Sequence, residues 1–117
     1  MAAEVKRGEV WTVAGGPDYA GKPRPAVILQ DNAFDATASI TICPFTTHVI
    51  DAPLMRLSIA PSSQNGLKVD SQLMIDKITT VAKVKLEKRV GRLASEDILR
   101  VTRAVLVFLG LAGASAS

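Results

Sequence analysis

The chain is short of the residues that most site chemistries need. Among its 117 residues there is one cysteine and one histidine. A lone thiol excludes an internal disulfide and suits a reducing compartment. One residue of each kind cannot supply the clustered ligands of a zinc site, and neither a metal nor a cofactor is expected. Cys43 sits inside the apolar run "SITICPF", where it reads as a small buried hydrophobe. A phosphate-cradling glycine loop is missing, because "AGG" at 14–16 lacks both the spacing and the lysine. No serine stands in a nucleophile-elbow context, and His48 would have to serve any triad alone. The carboxylates are scattered, without the pair that general acid–base or two-metal chemistry uses. Asp76 alone falls within an apolar strand pattern, where a buried, hydrogen-bonded structural role is expected. Long apolar runs are also missing: "AVLVFLGLAGA" at 104–114 is too short to cross a bilayer. Near the start, Glu9 interrupts the stretch after Lys6 and Arg7 before any signal-peptide core forms. A soluble, cytoplasmic protein is expected.

What is present is an ordinary globular balance, 48% apolar and 21% charged, in a length that suits one domain over 1–117. A formal charge of +3 and a pI near 9.3 permit a polyanionic partner without requiring one. Short strand patterns follow one another. "GEVWTVAG" sets Val10 opposite Trp11, and "PAVILQ" is a near-continuous apolar strand closed by the turn-forming "DNAFDAT". "SITICPF" puts Ile40 and Ile42 on one face, and "LMRLSIAP" does the same with Met55, Leu57 and Ile59. After the turn cluster "PSSQNG" come "SQLMID" and "ITTVA", two strands or one bent strand, and then "KRVGRL" around Gly91.

The chain then changes period. Ile98, Val101, Val105, Phe108 and Leu109 recur at helical spacing. Ser95 is the expected N-cap, Glu96 and Asp97 put negative charge at the positive end of the helix dipole, and Gly110 supplies the stop. Leu99, Leu106 and Val107 widen the apolar surface beyond one stripe, so the helix should meet a second surface besides its own core. The expected fold is mainly β: a small, strongly bent sheet or partly open barrel of six or seven strands with one C-terminal helix. Residues 6–111 should be ordered, and 112–117 should form a flexible tail.

Two features remain for function. In "GKPRPAVILQD" Arg24 stands between Pro23 and Pro25, which stiffen the backbone at a strand entrance. The plain reading is a solvated residue where a strand begins; the sharper one is a guanidinium held ready for an anionic ligand. In "PFTTH" the groups of Thr46, Thr47 and His48 gather where the third strand should end. For His48 the plain reading is a solvated loop residue.

Taken in order, "KRGEVWTV", "RPAVILQ", "ICPFTT", "GLKVDSQLMIDKITTV", "LEKRVGRL" and a helix ending "LGL" resemble the MazF/PemK family of toxin endoribonucleases, from about residue 6 to residue 111. The resemblance implies a small SH3-like β-barrel with a C-terminal helix and a homodimer. It implies metal-independent cleavage of single-stranded RNA, such as mRNA, at short sequences to 2′,3′-cyclic phosphate and 5′-hydroxyl ends. It also implies a cognate antitoxin whose C-terminal segment occupies the RNA groove. Arg24 matches the arginine of the family's Arg-Pro motif, and Thr46 the serine or threonine that completes the site. The residue types suit the chemistry, since a guanidinium fork fits the charge of a phosphorane.

The chain also departs from the family pattern. Many members have a basic residue where "DKIT" places Thr79, and Lys77 stands two positions earlier, on the same side if the segment is a strand. The loop before Arg24 differs as well, leaving Asp18, Tyr19 and Lys22 as candidate groove contacts, with Tyr19 able to stack a base. Candidate RNA contacts are thus Tyr19, Lys22, Thr47, His48, Lys77 and Thr79. Two rival readings stand beside this one: a CcdB-like poison that binds DNA gyrase without cleaving nucleic acid, and a small β-barrel binding module using "KVKLEKRVGR". The plain reading of that basic stretch is a strand edge protected by charge.

Overall fold

The computed structural model describes residues 4–15 and 22–112. Seven antiparallel strands form one open sheet: β1 (Glu9–Val13), β2 (Arg24–Ile28), β3 (Ser39–Thr46), β4 (Arg56–Ile59), β5 (Ser71–Met74), β6 (Thr79–Ala82) and β7 (Leu86–Arg92). The order is β4-β5-β3-β2-β1-β7, with β6 also on β3, and helix α1 (Ser95–Phe108) follows. The expected mainly β fold with a C-terminal helix is the one observed. Nearly all of the expected tail lies outside the described residues.

Period-2 alternation sorts the side chains into two cores. Val10, Val27, Cys43 and Phe45 point to the larger, which also takes Ile59, Leu73, Ile75 and, from α1, Val101 and Ala104. Trp11, Ala26, Ile28, Ile40 and Ile42 point to the smaller core on the opposite face. Met55 and Leu57 pack beside Ile59, as their shared face requires. Cys43 is fully buried, and burial pushes its thiol up to about 12.

β5 and β6 are separate strands, yet they act as one interrupted edge. Phe45 and Thr46 pair with Leu73 and Gln72, while Ser39–Ile42 pair with Ala82–Thr79. The register moves between these pairings, and a 3₁₀ turn at Ile75–Lys77 takes up the extra residues. Asp76 therefore lies in a turn and not in a strand. It is only partly buried, and Arg56 grips it at both oxygens, Nε to Oδ1 at 2.8 Å and Nη2 to Oδ2 at 3.1 Å. This guanidinium holds the Asp76 carboxyl below the usual carboxylate range.

One expectation for the helix needs correction. Ala94, not Ser95, is the extended residue before the first turn (φ −61°, ψ 151°), and no side chain caps that end. Leu93 decides the boundary: it is buried, and its N–H donates to the Gly8 carbonyl at 2.9 Å, so tertiary anchoring fixes where the helix enters. Phe108 and Leu109 follow the apolar period but lie on the surface, 46% and 59% exposed. Leu99, Leu106 and Val107 are exposed as well, which leaves the C-terminal end of α1 largely apolar and uncovered. Gly110 ends the helix at φ 74°, with the Leu111 N–H returning to the Leu106 carbonyl at 2.7 Å.

Candidate active site

The two central strands part company where prolines stand. β2 and β3 pair from Ile28 with Ile42 to Ala26 with Pro44, and no further. Beyond that point Arg24 pairs with Val13 of β1, while Thr46 pairs with Gln72 of β5. Pro25 and Pro44 sit at the fork, and neither has an N–H to extend the ladder. Continuing the register by two residues would bring Arg24 opposite Thr46. A groove of about 430 Å³ lies over the fork, on the sheet face away from α1.

The two strands supply its walls: Arg24, Pro25 and Ala26 from β2, and Ile42, Pro44, Phe45 and Thr46 from β3. Val13, Val81 and Met74 add apolar surface, and Lys77 and Thr79 complete the rim. The described lining thus holds two cations, two hydroxyls and no carboxylate, over a mostly apolar floor. Such a surface suits an unstacked base flanked by phosphate. Among the described residues no three His, Cys, Asp or Glu side chains group as metal ligands.

Thr46 is half-buried, and its Oγ1 accepts the His48 N–H at 3.1 Å. That bond occupies an oxygen lone pair and leaves the hydroxyl proton to donate. Lys77 does share the groove with Thr79, but by a different route from strand alternation. The 3₁₀ turn carries Lys77, and Thr79 begins the strand that follows. Thr47 and His48 are exposed in the next loop and do not line the groove. Lys22 is exposed and outside the lining, although its backbone packs against Gly15, which is part of the wall. Asp18 and Tyr19 fall outside the described residues. Sequence reasoning passed over Val13, Met74 and Val81, since nothing in an apolar strand residue marks which cavity it will face.

A family model for PemK-like, MazF-like toxins of type II toxin–antitoxin systems matches residues 6–109. The chain belongs to the MazF/PemK-like toxin family. It is 55% identical over 109 residues to a probable endoribonuclease MazF of Mycolicibacterium smegmatis, covering 93% of this chain and all of that MazF. It is 26% identical over 116 residues to the endoribonuclease MazF9 of Mycobacterium tuberculosis, covering 92% and 98%. Solved MazF-type structures share the fold. A mycobacterial endoribonuclease in complex with its cognate antitoxin superposes with a TM-score of 0.77 at 24% identity, over 93% of this chain and 98% of that one. A MazE–MazF complex from Deinococcus radiodurans gives 0.74 at 17% identity, over 94% and 99%. At these identities the structural likeness speaks for the fold alone. The match falls to MazF-like toxins and lends nothing to the gyrase-poison or bare binding-module readings.

Proposed function

We propose that this chain is the toxin of a type II toxin–antitoxin pair and an endoribonuclease that cuts single-stranded RNA at short sequences, without a metal, in the cytoplasm. The observation that carries it is the fork itself, which sets a guanidinium and a donating hydroxyl at an open groove over an apolar floor. The endoribonuclease name of the 55% identical relative supports the same reading.

RNA supplies its own nucleophile. The 2′-oxygen forms a bond to phosphorus, the bond from phosphorus to the 5′-oxygen breaks, and a 2′,3′-cyclic phosphate and a 5′-hydroxyl result. Charge gathers on the phosphorane oxygens between these events. Arg24 stabilises it through two parallel N–H donors, and also gives a proton to the leaving 5′-oxygen, which it regains from water. With a pKa above ~12 the guanidinium is a poor base, so the 2′-hydroxyl proton passes to water. Thr46 donates its free hydroxyl proton to a phosphate oxygen. Lys77 and Thr79 hold flanking nucleotides, Lys77 restoring positive charge where the family's basic residue is absent. Lys22, Thr47 and His48 contact the strand as it leaves the groove, and Tyr19 is proposed as an RNA contact from its residue type alone.

The cognate antitoxin is held to place its extended C-terminal segment in the same groove and so to exclude RNA. The uncovered apolar surface at the C-terminal end of α1, with Val107, Phe108, Leu109 and Leu111 exposed, is assigned to a second copy of the chain. No helix of the described residues is long and apolar enough to cross a membrane. The test is incubation of the purified protein with a messenger RNA transcript in excess chelator. Discrete fragments with cyclic phosphate ends are expected; intact RNA at stoichiometric protein would sink the proposal.

A further inference from the structure

Gln72 is a polar side chain in the middle of a strand where every other position packs apolar atoms or turns to a neighbour's backbone. It is 4% exposed, with Thr46 across the ladder on one side and Ser58 on the other. A primary amide that deep needs its donor and its acceptor satisfied. Both go to a single residue: Oε1 accepts the Ile50 N–H at 3.1 Å, and Nε2 donates to the Ile50 carbonyl at 2.9 Å. The side chain does for Ile50 what an adjacent strand would do, although no strand is formed between Thr46 and Arg56.

The same loop has a second tether at Thr46, whose Oγ1 accepts the His48 N–H. Only Thr47, His48 and Val49 separate the two fixed points, and all three are exposed. Packing therefore does little to hold them, and the His48 peptide stays in place because the chain on both sides of it is pinned. The bond from His48 in turn fixes the Thr46 rotamer and turns the hydroxyl proton away from its own loop. We propose that Gln72 is a positioning residue for Thr46: by clamping the Ile50 backbone at both its N–H and its carbonyl it keeps the Thr46–His48 turn closed and the Thr46 hydroxyl directed into the groove. This rests on the reading of Thr46 as a hydroxyl that touches the reacting phosphate. A buried glutamine that served only the stability of the sheet would act on every residue of the site alike.

The test is a two-by-two comparison of the full chain, with single-turnover cleavage of a messenger RNA transcript measured for the parent, Gln72→Leu, Thr46→Val and the double variant. Leucine fills a similar volume and removes both bonds to Ile50. Gln72→Leu is expected to slow cleavage about 10- to 100-fold in the parent, on the scale of a catalytic group displaced by about 1 Å. It should cost nothing further in the Thr46→Val background, because groups acting as a unit are non-additive. Amide exchange at His48 should rise about tenfold or more in Gln72→Leu, while the amides paired between β1 and β7 stay protected. An equal loss in both backgrounds, or Gln72→Leu cleaving within a few-fold of the parent while Thr46→Val is inactive, overturns this inference alone. Thr46→Val cleaving at the parent rate overturns the reading of Thr46 and the inference with it. Should Gln72→Leu fail to fold, Gln72→Glu, which keeps the acceptor for Ile50 and loses the donor, carries the same comparison.

Discussion

Arg24 stands between two prolines where a strand begins, whereas Thr46 stands where a strand ends and accepts a bond from the His48 N–H, and this difference decides what each substitution should do. If Arg24 contacts the phosphorane through two donors, lysine cannot replace it, because a point charge has no fork. Arg24→Lys is expected to fold normally and to keep weak RNA binding, since total charge is unchanged. Its cleavage should fall about 100-fold or more, the scale of one lost transition-state donor, as read by single-turnover kinetics at saturating protein. A second comparison separates Thr46 from its neighbour. Thr46→Val keeps the branched shape and should lose most activity, whereas His48→Ala should stay within a few-fold of the parent, because the imidazole is not part of the groove lining. A His48→Ala loss equal to that of Thr46→Val would move a catalytic role to the histidine. At this scale the sequence was legible where chemistry is local. Two prolines around an arginine can be read directly. Gln72 cannot, because its partner Ile50 is 22 residues away and no periodicity announces a side chain that bonds a distant peptide. Glu9 is a similar case: it is buried, accepting from Trp11 Nε1 at 3.1 Å and pairing with Arg89 at 2.8 Å, though its sequence context says only that it breaks an apolar run.

Among the elements, the turn before β5 and the last strand are fitted to one another by a missing side chain. A Cβ on Gly91 would come within 2.4 Å of the Asn65 carbonyl carbon and 2.5 Å of the Gln64 oxygen. Backbone cannot yield as a flexible side chain can. Gly91→Ala is therefore expected to cost about 1–3 kcal/mol and to lower the melting temperature by several degrees, as followed by circular dichroism. The 3₁₀ turn carrying Lys77 is braced by the Arg56–Asp76 pair, whose Asp76 carboxyl is depressed chiefly by its hydrogen bonds to Arg56. A carboxyl depressed in the folded state contributes stability that is complete above its ordinary value and is lost as pH falls through the folded value. Arg56→Met should remove that acid-dependent component, so the stability difference between parent and variant should shrink as pH falls below about 4 in denaturant titrations. A difference that stays constant down to pH 2 would show that the pair does not brace the turn. All seven strands and the helix could be found from alternation and period. Their junctions could not, because the boundary at Ala94 and the turn at Ile75–Lys77 are set by tertiary pairing.

For the whole molecule, the uncovered apolar surface at the C-terminal end of α1 sets the expectation. Light scattering of the purified chain should give twice the 12.4 kDa chain mass at micromolar concentration. A charged residue at Phe108 should shift the population toward the monomer without unfolding it, since Phe108 is 46% exposed. A monomer in the parent would leave that surface to another partner.

The pairing of β1 also sets an order in time. One side of β1 meets β2 at once, but its other side meets β7, with Glu9 against Arg92 and Val13 against Leu86. On a ribosome adding roughly 5–20 residues per second, the first strand waits several seconds for its outer neighbour. The groove draws its walls from both ends of this interval, from Val13 and Arg24 early and from Lys77, Thr79 and Val81 late. A growing chain that has not yet released β6 therefore has no finished groove.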